Sequence, residues 1–357
     1  MEETNPLFPW LELLEYPAFC VKDGAVIAVN TAATQRLIQP GIAVNEIITN
    51  HWETYNSFSS GSLYLTISTG GVPCAACVTR TPEWDLFTIQ QDEDGDRLQV
   101  LALAAQKLRI PLSNVMTLTD LLLKDLRAEK PKLQQQIGQV NQGLFQMLRI
   151  IGNMSDAVTD QMLGFPGMET IDLRALCREV VEKVRALSAG SGSRICYSEP
   201  DDPVWSLADP EKLERAMSNL LSNAMKFSPK KSTITAKLTV SGNVLSFTVT
   251  NPTAEKIPHH KFWNRYRREP SVENGQCGLG LGMTLISNIA TAHKGTVLID
   301  QPKDDRIRVT MSIAIQSRES GELRSPILRI SDYAGGRDKT LLEFVDVLPT
   351  EEYENIN

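Results

Sequence analysis

The sequence predicts a multidomain α+β protein, and three observations carry that prediction. The chain has 357 residues, more than a single domain usually holds. Its apolar pattern changes period along the chain, from strand-like alternation to a helical stripe and then to strands mixed with helices. Breaks such as Glu129-Lys130-Pro131 and Gly164-Phe165-Pro166-Gly167 interrupt the helical stretch and end it. These changes divide the chain into residues 8–92, 93–163 and 168–316, with a tail at 317–357.

Composition narrows the function classes. With 42% hydrophobic and 22% charged residues the chain is globular rather than disordered or collagen-like. A net charge of −7 gives no bulk attraction to nucleic acid or anionic membrane, so no nucleic-acid partner is expected. No run approaches the roughly 18 apolar residues of a membrane span. The acidic N-terminus lacks the basic region of a signal peptide. Six cysteines without the spacing of a small disulfide scaffold suit a reducing compartment. A cytoplasmic location is the expectation.

In residues 8–92, Phe19-Cys20-Val21 starts a strand and Lys22-Asp23-Gly24 turns it into a second, Val26 to Val29. A helix is predicted from Thr31 to Ile38. Leu63 to Ile67 alternates, Gly70-Gly71 breaks it, Cys74 to Thr79 is its hairpin partner, and Trp84 to Gln90 is a last strand. The order of these elements resembles a PAS sensor domain, by pattern alone. Trp10, Trp52 and Trp84 are read as packing residues, with a sensor pocket as the alternative. Cys74-Ala75-Ala76-Cys77 has a redox or metal spacing. Residues three apart in a strand point to opposite faces, and no second pair completes a zinc site, so both cysteines are read as structural.

Residues 93–163 carry two helical stripes. Leu98, Leu101, Ala105, Leu108, Leu112, Val115 and Leu118 form the first; Ile137, Val140, Leu144, Met147 and Ile151 form the second. Pro131 suits the first turn of the second helix. A two-helix hairpin cannot bury both apolar faces alone, so a dimeric four-helix bundle is expected.

After residue 168, Asp172 is a cap for a helix bearing Leu173, Leu176, Val180, Val184 and Leu187. Asp209 to Phe227 is a further helix. Ile234, Ala236, Leu238 and Val240 alternate, Gly242-Asn243 turns the chain, and Leu245, Phe247 and Val249 return. Ile307 to Ile315 closes an antiparallel sheet with helices on one face. In the tail, Leu341-Leu342-Glu343-Phe344-Val345 is expected to pack on the body, and the acidic Thr350 to Asn357 to be mobile.

Two stretches carry chemistry. In Asn219-Leu220-Leu221-Ser222-Asn223-Ala224-Met225-Lys226-Phe227-Ser228, the residues Asn219, Asn223 and Lys226 share one helical face. A carboxamide oxygen suits Mg²⁺ and a lysine meets phosphate as a point charge. The loop Gly275-Gln276-Cys277-Gly278-Leu279-Gly280-Leu281-Gly282 opens an apolar-periodic helix, an arrangement that favours phosphate.

Together with the element order, these stretches resemble a sensor histidine kinase over about residues 98–316. Asn219–Ser228 resembles the N box, Phe262–Arg267 the F box, Gly275–Leu281 the G2 box and ATP lid, and Ala292–Thr296 the end of the helix after the lid. The resemblance implies a dimerisation and phosphoacceptor hairpin followed by an α/β-sandwich ATP-binding domain of the gyrase and histidine kinase superfamily. It implies ATP and Mg as cofactors. Asn223 would hold Mg²⁺, Asn219 and Lys226 would approach the phosphates, and Gly278 and Gly280 would line the lid.

The departures define the expected function. The family's phosphoacceptor motif aligns with Gln106-Lys107-Leu108-Arg109-Ile110-Pro111-Leu112, and its histidine is Gln106. A carboxamide has no basic nitrogen to attack a phosphoryl group. Lys107 stands at the acidic position and Ile110 at the Thr/Asn position. At the G1 box the adenine-binding Asp is Asn251, within Asn251-Pro252-Thr253-Ala254, and the glycines are gone. The expected function is that of a pseudokinase in a two-component pathway. It would act through a homodimer, or a heterodimer with another histidine kinase, and through a response regulator. The alternatives are a kinase acting in trans on a partner's histidine, a weak ATPase and a nucleotide-free adaptor.

Overall fold

The computed structural model describes residues 8–14, 16–89, 108, 112, 115–119, 131–163, 167–188, 193–253, 281–303, 305–316 and 338–354. The first unit opens with a 3-10 helix, Pro9–Leu13. There follow β1 (Ala18–Lys22), β2 (Ala25–Val29), α1 (Thr31–Gln35), α2 (Val44–Ile47), α3 (Trp52–Ser57), β3 (Gly61–Thr69), β4 (Val72–Arg80) and β5 (Asp85–Ile89). The strands pair antiparallel in the order β2-β1-β5-β4-β3. Asp23 and Gly24, with φ of 51° and 78°, make the tight first turn. Asn30 caps α1 and holds the unit's N-terminal end: its Oδ1 accepts from Ala18 N and Ala33 N, both at 2.9 Å, and its Nδ2 donates to Tyr16 O at 2.8 Å. The helix stops at Gln35, short of the predicted Ile38, because Leu37 takes the left-handed conformation, φ 63°. Trp10 and Trp84 pack with Phe8, their ring centroids 5.5 Å apart.

A helix α4 (Pro131–Leu163) follows, starting on the proline that marks it in the sequence. Its predicted stripe divides. Ile137, Leu144 and Ile151 are buried within the chain, whereas Val140 and Met147 stay 53% and 47% exposed. The apolar residues of this helix thus cover two faces.

The third unit contains β6 (Glu169–Asp172), α5 (Leu173–Ser188), β7 (Arg194–Ser198), β8 (Trp205–Ala208), α6 (Pro210–Phe227), β9 (Thr233–Ser241), β10 (Val244–Pro252), α7 (Leu281–Ala292), β11 (Val297–Lys303) and β12 (Arg306–Ala314). The Gly242-Asn243 hairpin joins β9 to β10 in the predicted register. The sheet is not wholly antiparallel, as the sequence suggested. β7 pairs parallel with β9, since the chain passes through β8 and α6 between them, a crossover such as a parallel pair requires.

Two further features depart from the sequence reading. First, β3 pairs with β11, placing Ser62 opposite Ile299, Leu63 opposite Leu298 and Tyr64 opposite Val297, so the two units share one ten-stranded sheet. Each would otherwise be an edge strand with unpaired backbone groups. Second, Thr350–Tyr353, in the stretch expected to be mobile, forms a 3-10 helix. The Leu341–Val345 patch packs on the body as expected, with Lys339–Glu343 forming α8. Tyr353 is fully buried, edge-on to Phe145 at 5.3 Å, and its hydroxyl donates to Leu341 O. Burying that ring and Leu342, Phe344, Val345 and Leu348 outweighs the segment's acidic character.

Candidate functional site

The site is built on α6. Asp209 caps the helix, its Oδ1 accepting from Lys212 N at 3.1 Å, and Pro210 begins it. The helix is buried on most sides, from Leu213 to Met225, so its polar residues are enclosed rather than solvated. Asn223 lines a cleft together with Leu220, Ala224 and Phe227 of the same helix, Val249 and Asn251 of β10, Met283 of α7, and Ile307 and Val309 of β12. The cleft is an apolar slot with two carboxamides. Gly282 brings the start of α7 to its edge: a Cβ there would stand 3.1 Å from Asn219 Oδ1 and 3.9 Å from Asn223 Nδ2. The N-terminal end of that helix favours negative charge beside those two amides.

The structure therefore brings Asn223 and Asn251 to one cleft. Asn219, one turn earlier, is buried and already bonded. Its Nδ2 donates to Glu343 Oε2 at 2.8 Å and its Oδ1 accepts from Arg149 Nη2 at 3.3 Å. Lys226 Nζ donates to Asp346 Oδ2 at 2.8 Å. Gly278, Gly280 and Gln106 lie outside the described residues, as do the predicted F box and Lys107.

Sequence reasoning missed the charged cluster that engages this helix. Glu343 accepts from Arg215 Nε and from Arg149 Nε, each at 3.2 Å, while Ser222 Oγ donates to the Glu343 carbonyl at 2.8 Å. Asp346 also accepts from Arg149 Nη1 at 3.0 Å. Arg215 and Glu343 are both buried to within 2%. The signal present in the sequence was an acidic residue inside the apolar run Leu341–Val345, because a buried carboxylate requires cationic partners.

His293, in the stretch after the lid, has a structural role. Its Nε2 accepts from Asp209 N at 3.0 Å, which leaves Nδ1 to donate to Ile289 O at 2.7 Å. The ring is neutral in this arrangement, and burial lowers its pKa below 6.5 against the opposing effects of the Ile289 carbonyl and Asp209. The unfolded chain binds a proton that the folded chain does not. His293 thus contributes stability fully above about pH 6.5, and that contribution is lost as pH falls toward the lowered value. Thermal unfolding of wild type and His293→Gln between about pH 7.5 and 5.5 should show a smaller acid-induced loss in the variant. Equal losses would remove His293 as the cause.

Cys74 and Cys77 are both buried and neither forms a disulfide, and burial pushes the Cys20 thiol up to about 12. Among the described residues no group of His, Cys, Asp and Glu is arranged to hold a metal ion by itself. Among them, too, no helix is long and apolar enough to cross a membrane.

Residues 208–317 match the family described as histidine kinase-, DNA gyrase B- and HSP90-like ATPase. The chain is 28% identical over 221 residues to sensor histidine kinase CusS of Escherichia coli, covering 60% of this chain and 44% of that protein. It is 30% identical over 243 residues to the adaptive-response sensory kinase SasA of Synechocystis, covering 61% of each. The chain thus spans about half the length of the curated relatives it matches. Among solved structures, full-length ShkA in complex with AMPPNP shares the fold at a TM-score of 0.51 and 16% identity, covering 64% of this chain and 47% of that one.

Proposed function

From its place in the sensor histidine kinase family, to which this chain belongs, we propose that it is a nucleotide-binding pseudokinase of a two-component pathway. The observation that carries the reading is the cleft where Asn223 and Asn251 face one apolar slot. An apolar slot edged by carboxamides suits the flat face of a purine, with the Asn251 oxygen offered to its amino group. Asn223 offers a hard oxygen for Mg²⁺, and the N-terminal end of α7 favours phosphate. Bound Mg²⁺ would neutralise phosphate charge.

Self-phosphorylation at the family's usual position has no nucleophile, because Gln106 stands there. The output is then conformational, through binding of a response regulator or a second kinase protomer. The exposed apolar residues Leu108, Val115 and Leu118, with Val140, Met147 and Ile150 of α4, support pairing with a second copy as a four-helix bundle. The strand order β2-β1-β5-β4-β3 supports reading residues 8–92 as a PAS-like sensor unit.

A second reading, phosphotransfer in trans to a partner's histidine, is favoured by the same cleft. A nucleotide-free adaptor is favoured by the engagement of Asn219 and Lys226 with carboxylates. Calorimetry with ATP, with and without Mg²⁺, separates these. Binding that needs Mg²⁺ and weakens at least about tenfold in Asn223→Ala is expected, the loss of one metal ligand. No binding at millimolar ATP would overturn the nucleotide reading and leave the adaptor.

A further inference from the structure

The carboxylates on Asn219 and Lys226 come from a segment that is distant in sequence and packed into the same core. α8 and the turn after it lie between α4 and α6. Leu342, Phe344 and Val345 are buried there, so the segment is a fixed part of the domain. Asp346 differs from these neighbours. It is partly exposed, and its carboxylate lies between two cations, Lys226 Nζ at 2.8 Å and Arg149 Nη1 at 3.0 Å. Lys226 is the residue that would meet a nucleotide phosphate.

We infer that Asp346 is a built-in competitor for the nucleotide's phosphates, its carboxylate holding Lys226 and Arg149 as a phosphoryl oxygen would. The inference rests on the nucleotide reading of the cleft and adds the regulation of that site. A carboxylate and a phosphate make the same charge-assisted hydrogen bonds to an ammonium and a guanidinium. Lys226 has three donors, but a phosphate oxygen brought to it stands against the Asp346 carboxylate, and the two negative charges repel. Because the backbone of the segment is anchored by buried side chains, exchange needs only side-chain rotation of Asp346 or Lys226. An Asp346 that holds Lys226 in about nine molecules of ten lowers the apparent phosphate affinity about tenfold. The adenine slot, lined by Asn251 and Met283, lies outside this competition. Arg149 belongs to α4, so displacement of Asp346 also removes a contact between that helix and the turn after α8.

The test compares Mg-ATP with adenosine, which carries no phosphate, in the full chain. Asp346→Asn keeps the shape of the side chain and removes its charge. The expected result is about tenfold tighter Mg-ATP binding with adenosine affinity unchanged, and Asp346→Glu retaining the weak binding of the wild type. Unchanged Mg-ATP affinity in Asp346→Asn, with adenosine bound by both proteins, would overturn the competition and leave the nucleotide reading standing. So would parallel tightening of adenosine, which marks a general loosening of the site. Absence of binding of either compound to any of the three proteins would overturn the nucleotide reading and this inference with it. If Asp346→Asn does not fold, Asp346→Ser carries the same comparison.

Discussion

Arg215→Ala is expected to destabilise the protein by about 3–5 kcal/mol, the usual loss when one partner of a buried ion pair is removed. Arg215 and Glu343 are about as buried as any charged pair can be, with side chains 2% and 1% exposed. A buried pair of this kind adds little over an apolar pair of the same volume, because desolvation offsets the attraction. Removing only the arginine is different, since it leaves Glu343 charged and enclosed with Arg149 as its remaining ionic partner. Asn153 Oδ1, which accepts from Arg215 Nη2 at 2.8 Å, loses that donor too. Glu343 also receives Asn219 Nδ2, so the candidate nucleotide site loosens along with the helix. In a unit of about 150–250 residues the loss corresponds to roughly 6–20 °C in thermal midpoint. Thermal and urea unfolding of the variant measures it. The double change Arg215→Met with Glu343→Leu should recover part of the stability, because the enclosed carboxylate is gone and Arg149 keeps Asp346, while Asn219 Nδ2 loses an acceptor. A wild-type midpoint for Arg215→Ala alone would show that the pair does not anchor the segment.

Gly61→Ala is expected to open the joint between the two units. Gly61 begins β3 with φ +95°, a conformation that costs an alanine about 1–2 kcal/mol. An added Cβ would also overlap the Ile299 carbonyl oxygen and lie 3.0 Å from Asp300 Cα, both backbone atoms of β11. Backbone in a paired strand cannot yield as a side chain does, so the strands must separate. The pairing is short, covering Ser62 to Tyr64 against Val297 to Ile299, and the packing of Tyr64 and Leu298 across it depends on the same register. Hydrogen exchange should show lost protection at 61–64 and 297–299. The β4–β5 and β9–β10 pairs should keep theirs. Unchanged protection at both edges would mean that the joint does not depend on this glycine.

Much of the local structure is legible in the sequence. The Gly70-Gly71 and Gly242-Asn243 turns and the alternation on either side locate both hairpins, because turn chemistry and period-two patterning are properties of neighbouring residues. Pro131 marks the start of α4 for the same reason. The face shared by Asn219, Asn223 and Lys226 follows from helical spacing alone. Misreadings fall where distant chain segments decide. The parallel β7 strand is short and half-buried, with no alternation long enough to reveal its partner. Residues 350–353 carry an acidic, loop-like composition, yet Tyr353 finds an aromatic partner in Phe145 more than two hundred positions earlier.

The sequence by itself determined the two glycine-turned hairpins, the proline starts of α4 and α6, and the two carboxamides and lysine on one helix. Each of these is a matter of residue type and short spacing. The tertiary structure decided the rest: that β3 and β11 join two sheets into one, that the α4 stripe splits between core and surface, and that Glu343 and Asp346 reach Asn219 and Lys226. Those contacts link positions that only the folded chain brings together. A buried carboxylate announces that it needs a cation, but not which one, until burial and geometry have selected Arg215 and Arg149 from the 36 basic residues of the chain.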